Sequence, residues 1–317
     1  MEDARSTVIP ETVVVCLPDV PELVHIGELP PNVDVRLFSR EKPMPDLAAA
    51  DLIVPGPGIR EPLLALLGGP PRRLRVIQMT SAGVDWLIGR VPARVMVCNA
   101  RGVYDAPLAE WVVGAILAMQ RGLVDARDAQ SRHEWIAMEP PDLAGRCVVI
   151  LGMGSIGTAI ADRLRRFGVQ LIGVGRTGRD GIRGLAELES ILPDAQIVVN
   201  MLPLTTATAG LLNAGRLGLL PDGALVVNAG RGRTIDTAAL VEELRSGRLR
   251  AVLDVTDPEP LPSEHPLWEL PNVLISPHVA GDSPASARRA FALAGDQIRR
   301  FAAGEPLINE VDRYLLE

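Results

Sequence analysis

One short stretch, Leu151-Gly152-Met153-Gly154-Ser155-Ile156-Gly157, constrains this 317-residue chain more than any other. An apolar run leads into it over residues 147–150, and a pattern typical of a helix follows over residues 158–167. Gly-x-Gly-x-x-Gly between a strand and a helix is the fingerprint of a dinucleotide-binding turn, although such turns also form for packing reasons. We expect Gly152 to allow the tight turn, Gly154 to let the backbone approach a pyrophosphate, and Gly157 to let the helix pack closely.

The composition excludes several classes of protein. With 47% hydrophobic residues the chain can build large cores, and with only 3% aromatic residues those cores consist mostly of Ala, Val, Leu and Ile. A net charge of -7 argues against a general nucleic-acid surface, but not against a local basic pocket for an anionic ligand.

The cysteines indicate a reducing compartment. Cys16, Cys98 and Cys147 are odd in number and far apart, and each lies in an apolar run, which predicts buried free thiols. No Cys/His cluster has the spacing of metal ligands, so we expect no metal site. The first residues do not read as a signal peptide, and no apolar run is long enough to cross a bilayer. A cytoplasmic protein is expected.

The first third of the chain alternates strand-like and helix-like segments. Short runs rich in Val, Ile and Leu, mostly bounded by Pro and Gly, predict buried parallel strands at residues 12–17, 34–38, 51–54, 75–79 and 95–98. A short helix is predicted at residues 61–67. Together these segments indicate a small α/β domain without a nucleotide fingerprint.

A long helix is predicted at residues 106–121, where apolar residues recur at helical spacing. We interpret it as a helix that links two domains and leaves an apolar face for dimer contact. The polar stretch that follows, residues 122–143, is interpreted as an arm or a loop.

The rest of the chain repeats a strand-helix rhythm. Strands are predicted at residues 147–151, 171–174, 197–202, 224–228, 251–255 and 273–276. Helices fit between the earlier strands, including one at 236–246 with Gly247 just beyond its end. This alternation predicts a doubly wound parallel sheet. The last helix, at residues 286–302, is expected to return to the first domain, which otherwise lacks a cover.

Four later segments lie at predicted strand ends, where an open α/β sheet places its ligand. They are Met201-Leu202-Pro203-Leu204-Thr205, Val227-Asn228-Ala229-Gly230-Arg231-Gly232, Leu253-Asp254-Val255-Thr256-Asp257-Pro258-Glu259-Pro260-Leu261 and Ile275-Ser276-Pro277-His278-Val279-Ala280-Gly281. Their order and spacing resemble the NAD(P)-dependent D-isomer-specific 2-hydroxyacid dehydrogenases. The resemblance extends to Ser81-Ala82-Gly83-Val84-Asp85, to Asn99 with Gly102, and to Ala109-Glu110, and so covers essentially the whole chain.

The resemblance implies the architecture. Two Rossmann-like domains are expected: a discontinuous, flavodoxin-like substrate domain at residues 1–98 and 287–317, and an inserted dinucleotide-binding domain at residues 99–286. It also implies a homodimer.

The resemblance also implies the roles of individual residues. Arg231 matches the substrate-binding arginine, and Glu259 and His278 match the acid–base pair. Substrate contacts are expected at Ala82, Gly83, Val84, Arg231 and His278. Cofactor contacts are expected at Gly152, Met153, Gly154, Ser155, Ile156, Gly157, Arg176, Thr177, Arg179, Leu202, Pro203, Thr208, Ala229, Gly230, Arg231, Asp254, His278, Ala280 and Gly281.

These residue types suit the reduction of a 2-oxo acid. Hydride addition to a carbonyl carbon builds charge on its oxygen, and a histidine is well matched to protonate that oxygen near neutral pH. A carboxylate such as Glu259 favours the imidazolium and orients the ring. Arginine binds the substrate carboxylate through two parallel hydrogen bonds. Backbone N–H groups near Gly83 offer a second anion anchor.

The cofactor expected is NADP(H), with NAD possible. An NAD-type domain usually has an acidic residue about 20 positions after the glycine-rich turn, and Gly175 occupies that position here. Arg176, Thr177 and Arg179 follow, and these side chains can attract and hydrogen-bond a 2′-phosphate. The alternative interpretation is that Arg176 only stacks on the adenine and Arg179 is solvated.

Several readings remain open from the sequence. Small 2-oxo acids such as glyoxylate or hydroxypyruvate are the leading substrates. The alternatives are a phosphoglycerate-type dehydrogenase using NAD and a non-catalytic protein that senses NAD(P). Trp111 stands where many family members have a histidine, and Arg60, Tyr104, Arg132 and Trp135 can each lie near the site or on the surface. We interpret His25, His133 and His265 as structural or surface residues.

Overall fold

The computed structural model describes residues 12–39, 49–56, 59–69, 73–87 and 89–312. Contacts divide the chain into two compact units, here called unit 1 (1–103 with 283–317) and unit 2 (104–282). The two domain boundaries expected from the sequence lie after residues 98 and 286, whereas the contacts divide the chain after residues 103 and 282. The last helix belongs to unit 1.

Unit 1 is built on a five-stranded parallel sheet of order β2-β1-β3-β4-β5. Strand β1 is buried along its whole length because its side chains are apolar in both directions, as expected for a central parallel strand. The strand order is that of flavodoxin-like sheets. The strands are β1 (Val13–Pro18), β2 (Val33–Phe38), β3 (Leu52–Ile53), β4 (Val76–Gln78) and β5 (Met96–Cys98).

Among its described residues, unit 1 also contains the α-helices α1 (Arg60–Leu67) and α8 (Pro284–Ala303), the last helix of the chain. The apolar stripe of α8, formed by Phe291, Ala294, Ile298, Phe301 and Ala302, packs on the β1 side chains Val13, Val15 and Leu17. Burial of one such large apolar side chain stabilises a fold by about 1.5–3 kcal/mol. This helix therefore supplies the cover that unit 1 needs.

Unit 2 contains a seven-stranded parallel sheet of order β12-β11-β10-β9-β6-β7-β8. Read from β8, this is the doubly wound order of a Rossmann sheet extended by one strand. All six strands predicted for this region are present, and β8 is an addition too short to have a sequence pattern. The strands are β6 (Cys147–Leu151), β7 (Gln170–Gly175), β8 (Arg183–Gly184), β9 (Ile197–Asn200), β10 (Leu225–Asn228), β11 (Arg250–Leu253) and β12 (Val273–Ile275).

The helices of unit 2 alternate with these strands. The predicted helix at residues 236–246 is α7, and Gly247 follows it with a φ of +75°, as expected for a residue just past a helix end. The α-helices are α2 (Asp105–Gln120), α3 (Leu123–Ser131), α4 (Ser155–Leu164), α5 (Leu188–Ile191), α6 (Ala214–Gly218) and α7 (Thr237–Arg245).

The apolar face of α2 corrects one interpretation from the sequence. Val112, Ile116 and Met119 are already buried within unit 2, where they share a hydrophobic core with Ile160 and Leu164 of α4. They are therefore not available for contact with a partner chain. Helical spacing identified the apolar stripe correctly, but it cannot identify what covers the stripe. The expectation that α2 leaves this apolar face exposed for a dimer contact is therefore wrong.

The segment 122–143 is also more ordered than the sequence indicated. It begins with α3, in which Ala129 alone is buried, and a helix that is polar on nearly all sides leaves little periodic signal. Beyond α3, Trp135, Ile136 and Met138 are exposed.

Three further observations concern the whole described chain. No helix in the described ranges is long and apolar enough to cross a membrane. Cys16, Cys98 and Cys147 are buried free thiols, as predicted. Burial raises the pKa of Cys16 to about 11 and that of Cys98 to about 12, and it also raises the pKa of Cys147.

Candidate active site

The glycine-rich turn begins where β6 ends. Gly152 has a φ of +100°, and a Cβ atom there would lie 2.8 Å from the carbonyl oxygen of Met201. A Cβ atom at Gly157 would overlap the carbonyl oxygen of Gly152, so α4 can approach β6 only with glycine at this position. Both positions therefore require glycine for local steric reasons.

Gly154 is different, because a Cβ atom there would meet no atom within 4 Å. It immediately precedes Ser155, the first residue of α4, where helix N–H groups lack partners within the helix. An open backbone surface at a helix N-terminus fits a dinucleotide pyrophosphate. Of the other predicted contacts here, the Met153 side chain lies close over the backbone of Gly173, and Ile156 packs against the core.

The residues predicted to select the cofactor follow β7. The N–H of Gly152 donates to the carbonyl of Val174 at 2.8 Å, so the glycine-rich turn and the end of β7 are adjacent. Arg176, Thr177 and Arg179 are exposed, and within the described ranges neither arginine side chain forms an ion pair or a hydrogen bond. The guanidinium groups are thus available to an anionic ligand.

The carboxylate of Glu187 lies near this stretch, and it already forms hydrogen bonds within the protein. Glu187 accepts the N–H of Gly184 at 2.9 Å and a hydrogen bond from Arg183 at 2.7 Å. The Gly184 N–H and, after it, Arg183 lower the pKa of Glu187, although partial desolvation opposes them. This carboxylate therefore stabilises the turn that follows β8.

The loops after β9 and β10 contact each other. A Cβ atom at Gly230 would lie 2.9 Å from the carbonyl oxygen of Leu202, so the two backbones touch. The Thr208 hydroxyl donates to the carbonyl of Pro203 at 2.6 Å and accepts the N–H of Thr205 at 2.8 Å. Thr208 thus holds the loop after β9, and its predicted contact with the cofactor stays a prediction.

Arg231 follows Ala229 and Gly230 after β10 and precedes a turn of 3-10 helix, Gly232–Thr234. Its Nη1 donates to the carbonyl of Gly230 at 2.8 Å. A Cβ atom at Gly232 would overlap the carbonyl oxygen of Thr256, so the Arg231 loop lies directly against the loop that carries Glu259.

The two side chains predicted to form the acid–base pair lie in contact. Nδ1 of His278 lies 2.6 Å from Oε1 of Glu259, and the two side chains are 52% and 43% exposed. The remaining ring nitrogen, Nε2, is the one available for proton transfer to a ligand. His278 has a φ of +55°, a strained value for a residue with a side chain, and its N–H donates to the carbonyl of Asp254 at 2.8 Å.

Asp254 organises the loop that carries His278. Its buried carboxylate accepts three hydrogen bonds, from the Ser276 hydroxyl at 2.6 Å and from the N–H groups of Val279 at 2.9 Å and Ala280 at 3.0 Å. The contact between Asp254 and the cofactor that was expected from the sequence stays a prediction. The role of Ser276 was missed, because nothing local in the sequence marks a hydroxyl as the partner of a carboxylate 22 positions earlier.

The predicted substrate turn belongs to unit 1. Ser81 donates to the carbonyl of Gly83 at 3.0 Å, and Asn99 donates to the carbonyl of Ala82 at 2.8 Å. By contrast, the N–H groups of Ala82, Gly83 and Val84 donate to no acceptor among the residues that the structure describes. Three successive N–H groups without acceptors fit the predicted binding of an anion.

The structure also locates the residues that the sequence left open. Tyr104 lies against Gly281, Arg60 stacks on the Trp86 ring at 5.1 Å, and Arg132 pairs with Glu134. Trp111 packs partly buried against the core, and Trp135 is fully exposed. His265 accepts the N–H of Leu267 and so anchors its loop, as interpreted.

Comparison with known proteins decides the family. Residues 113–280, just over half of the chain, match the model of the D-isomer specific 2-hydroxyacid dehydrogenase NAD-binding domain. The chain belongs to this family. The family and fold class predicted from the sequence are confirmed, and the chain is an NAD(P)-dependent 2-hydroxyacid dehydrogenase.

Several members of the family are similar over most of their length. The chain is 32% identical over 268 residues to glyoxylate/hydroxypyruvate reductase A of Salmonella choleraesuis, covering 80% of this chain and 84% of that one. A family member from Xanthobacter autotrophicus, solved with NADPH and MES, is 32% identical with a TM-score of 0.81, covering 97% and 100%. An NADPH-dependent glyoxylate/hydroxypyruvate reductase of Sinorhizobium meliloti, solved with NADP and sulfate, is 30% identical with a TM-score of 0.82, covering 96% and 99%.

Proposed function

We propose that this dehydrogenase reduces small 2-oxo acids of the glyoxylate or hydroxypyruvate type to 2-hydroxy acids, using NADPH. The observation that carries the proposal is the 2.6 Å contact between His278 Nδ1 and Glu259 Oε1, on loops that follow two adjacent strands of the sheet. The names of the relatives from Salmonella choleraesuis and Sinorhizobium meliloti support the substrate class. In this proposal unit 2 binds the nucleotide.

Each catalytic side chain has a distinct role in the mechanism. The Arg231 guanidinium binds the substrate carboxylate through paired hydrogen bonds and orients the ketone. The nicotinamide, when bound, supplies the hydride that reduces the carbonyl carbon. His278 donates a proton from Nε2 to the carbonyl oxygen, which completes the hydroxyl group. Glu259 accepts a hydrogen bond from the Nδ1–H group, orients the ring, and stabilises the imidazolium before the transfer.

Selectivity for NADPH is proposed from the end of β7. Gly175 places no carboxylate where it would repel a 2′-phosphate, and the Arg176 and Arg179 side chains make no ion pair within the described ranges. Thr177 offers a hydroxyl donor in the same exposed stretch. The relative from Sinorhizobium meliloti was solved with NADP, which supports this choice.

A homodimer is also proposed, on a different basis from the apolar face of α2. Three exposed apolar side chains follow α3 within four positions of the chain. Trp135 is fully exposed, and Ile136 and Met138 are 49% and 40% exposed. Such neighbouring apolar groups often mark a protein interface. Light scattering after gel filtration tests it: the wild-type chain should have the mass of two chains, and Trp135→Ser should shift it toward one. A monomeric wild-type chain contradicts the proposal.

The first experiment measures the loss of absorbance of NADPH, and separately of NADH, with glyoxylate, hydroxypyruvate and a bulkier 2-oxo acid. Fast oxidation of NADPH with a small acid, and much slower oxidation of NADH, is the expected result. Faster reaction with NADH would overturn the assignment of Arg176 and Thr177 while leaving the acid–base pair intact. NAD-linked oxidation of phosphoglycerate alone would favour a phosphoglycerate-type dehydrogenase. Tight binding of both cofactors without turnover would favour the sensing protein.

Variants of the acid–base pair test the mechanism itself. His278→Gln should lower kcat by about 100- to 10,000-fold, because it removes the proton donor. Glu259→Gln should lower kcat less, since the proton donor remains but its partner is neutral. His25→Gln, on an exposed histidine of unit 1, is the matched control and should leave kcat unchanged. Full activity of His278→Gln would contradict the mechanism.

A further inference from the structure

Three buried polar side chains lie behind Arg231, and no role was assigned to them from the sequence. Asn200 ends β9, Asn228 ends β10, and Thr234 ends the 3-10 turn after Arg231; each is about 1% exposed. Nδ2 of Asn200 donates to Oδ1 of Asn228 at 3.0 Å and to the Thr234 hydroxyl at 2.6 Å. Polar groups this deeply buried are costly unless they are bonded, so their partners reveal what they hold.

Their outward bonds converge on the backbone of Arg231. The carbonyl oxygen of Arg231 accepts the Thr234 hydroxyl at 2.6 Å and Nδ2 of Asn228 at 3.2 Å. The N–H of Gly230 donates to Oδ1 of Asn228 at 3.1 Å. The Arg231 guanidinium in turn donates to the carbonyl of Gly230, so both the backbone and the side chain of this residue are held by hydrogen bonds.

The backbone groups at the two ends of this network determine which group donates and which accepts in every hydrogen bond between them. The N–H groups of Leu202 and Gly230 can only donate, so they require the amide oxygens of Asn200 and Asn228 as acceptors. The amide NH₂ groups must then point inward, that of Asn200 to Thr234 and that of Asn228 to Arg231. The Thr234 hydroxyl uses its lone pair for Asn200 and its one proton for the Arg231 carbonyl. A network with a single hydrogen arrangement is well suited to hold one backbone geometry.

The network also connects two predicted binding loops. One end is the N–H of Leu202, which starts the loop expected to line the cofactor, and the other is the carbonyl of Arg231. We infer that Thr234 and Asn228 are positioning residues, which orient Arg231 for the substrate carboxylate and keep it in register with the loop at Leu202. This inference rests on the role of Arg231 in the proposed function.

Thr234→Val tests the inference with little change in shape. The valine keeps the branched side chain but removes the hydroxyl that Arg231 and Asn200 share. We expect KM for the 2-oxo acid to rise about 10-fold, the effect of losing roughly one buried hydrogen bond, while the Kd for NADPH changes less than twofold. Thr234→Ser, which retains the hydroxyl, should restore KM. Thr12→Val, at an exposed position of unit 1, is the control.

A double-mutant cycle shows whether Thr234 acts through Arg231. In an Arg231→Ala background, Thr234→Val should raise KM no further, because the side chain that it positions is gone. Should the valine variant fail to fold, Thr234→Ala, which leaves space for a water, takes its place. Three results would each overturn the inference: an unchanged KM for the 2-oxo acid in Thr234→Val, additive effects of the two substitutions in the cycle, or a rise in the Kd for NADPH as large as the rise in KM. Unchanged KM in Arg231→Ala alone would instead overturn the proposed role of Arg231.

Discussion

The carboxylate of Asp254 accepts the backbone N–H of Ala280 at 3.0 Å, and its second oxygen accepts that of Val279 at 2.9 Å. These two N–H groups follow His278 directly in the chain, and the N–H of His278 donates to the carbonyl of Asp254 itself. The end of β11 thus holds the histidine loop in the turned conformation that its positive φ requires.

Asp254→Asn should loosen this loop. An amide has only one oxygen, so its NH₂ group would face a backbone N–H, and one buried donor would lose its acceptor at a cost of about 1–3 kcal/mol. We expect a lower free energy of unfolding in guanidinium and a lower kcat. Ser276→Ala, which removes only the third donor, should have a smaller effect on both. Wild-type kcat in Asp254→Asn would contradict the positioning role.

The glycine-rich turn allows a prediction that separates folding from binding. Gly157→Ala should strongly lower the melting temperature or prevent folding, because the new methyl group would overlap the carbonyl oxygen of Gly152. Gly154→Ala should melt like the wild-type protein, since no atom lies within 4 Å of the new methyl group, and the backbone there has an extended conformation that alanine adopts.

NADPH binding is then the second measurement on Gly154→Ala. A methyl group on the face where the pyrophosphate is expected should raise the Kd for NADPH at least about 10-fold, the effect of losing roughly one charge-assisted hydrogen bond. Calorimetric titration measures this Kd. Wild-type affinity in a normally folded Gly154→Ala variant would show that the phosphates do not approach this position.

The position of Gly175 should control the choice of cofactor. Gly175→Asp places a carboxylate where the 2′-phosphate is expected, and the ratio of kcat/KM for NADPH to that for NADH should fall about 100-fold through repulsion of like charges. A Cβ atom here would lie 3.2 Å from the Ile182 side chain, so a steric effect must be separated from the charge. Gly175→Ala provides that control and should keep the preference for NADPH. An equal fall of the ratio in both variants would contradict the electrostatic explanation.

The three buried thiols predict a reactivity pattern. A thiol reagent at pH 8 should label none of them in the native protein and all three after unfolding in guanidinium, because burial keeps the native groups protonated and out of reach. Counting the labelled thiols by mass spectrometry checks this. Rapid labelling of Cys98 in the folded protein would be incompatible with its burial.

The same thiols predict how stability depends on pH. The native pKa of Cys98 is raised to about 12, mainly by burial, whereas an unfolded cysteine has a pKa of about 8.5. At a pH between these two values the Cys98 thiol has lost its proton in the unfolded chain but keeps it in the native chain. The free energy of unfolding therefore falls as pH rises. The contribution is complete below the unfolded pKa and is lost as pH passes the native pKa. Over that window Cys98→Ala should reduce the slope by about 1.4 kcal/mol per pH unit. An identical slope in the variant and the wild-type protein would contradict the raised pKa.

The local sequence was enough to predict the strands and the glycine-rich turn. Buried parallel strands are continuous apolar runs, so the segments that became β6, β9 and β10 were recognisable without their neighbours. The glycine-rich turn was recognisable because its steric requirements act between residues only a few positions apart. The types and order of Arg231, Glu259 and His278 likewise carried the family resemblance.

Tertiary structure alone decided which partners these elements have. The apolar stripe of α2 was correctly located, yet only the fold shows that α4 covers it. Asn200 and Thr234 are 34 positions apart in the chain and 2.6 Å apart in space, because the order of strands in the sheet brings their loops together. The same holds for Asp254 and the N–H of Ala280. Periodicity along a chain records which side chains avoid water, but hydrogen bonds between loops depend on strand order and register, which no local pattern contains.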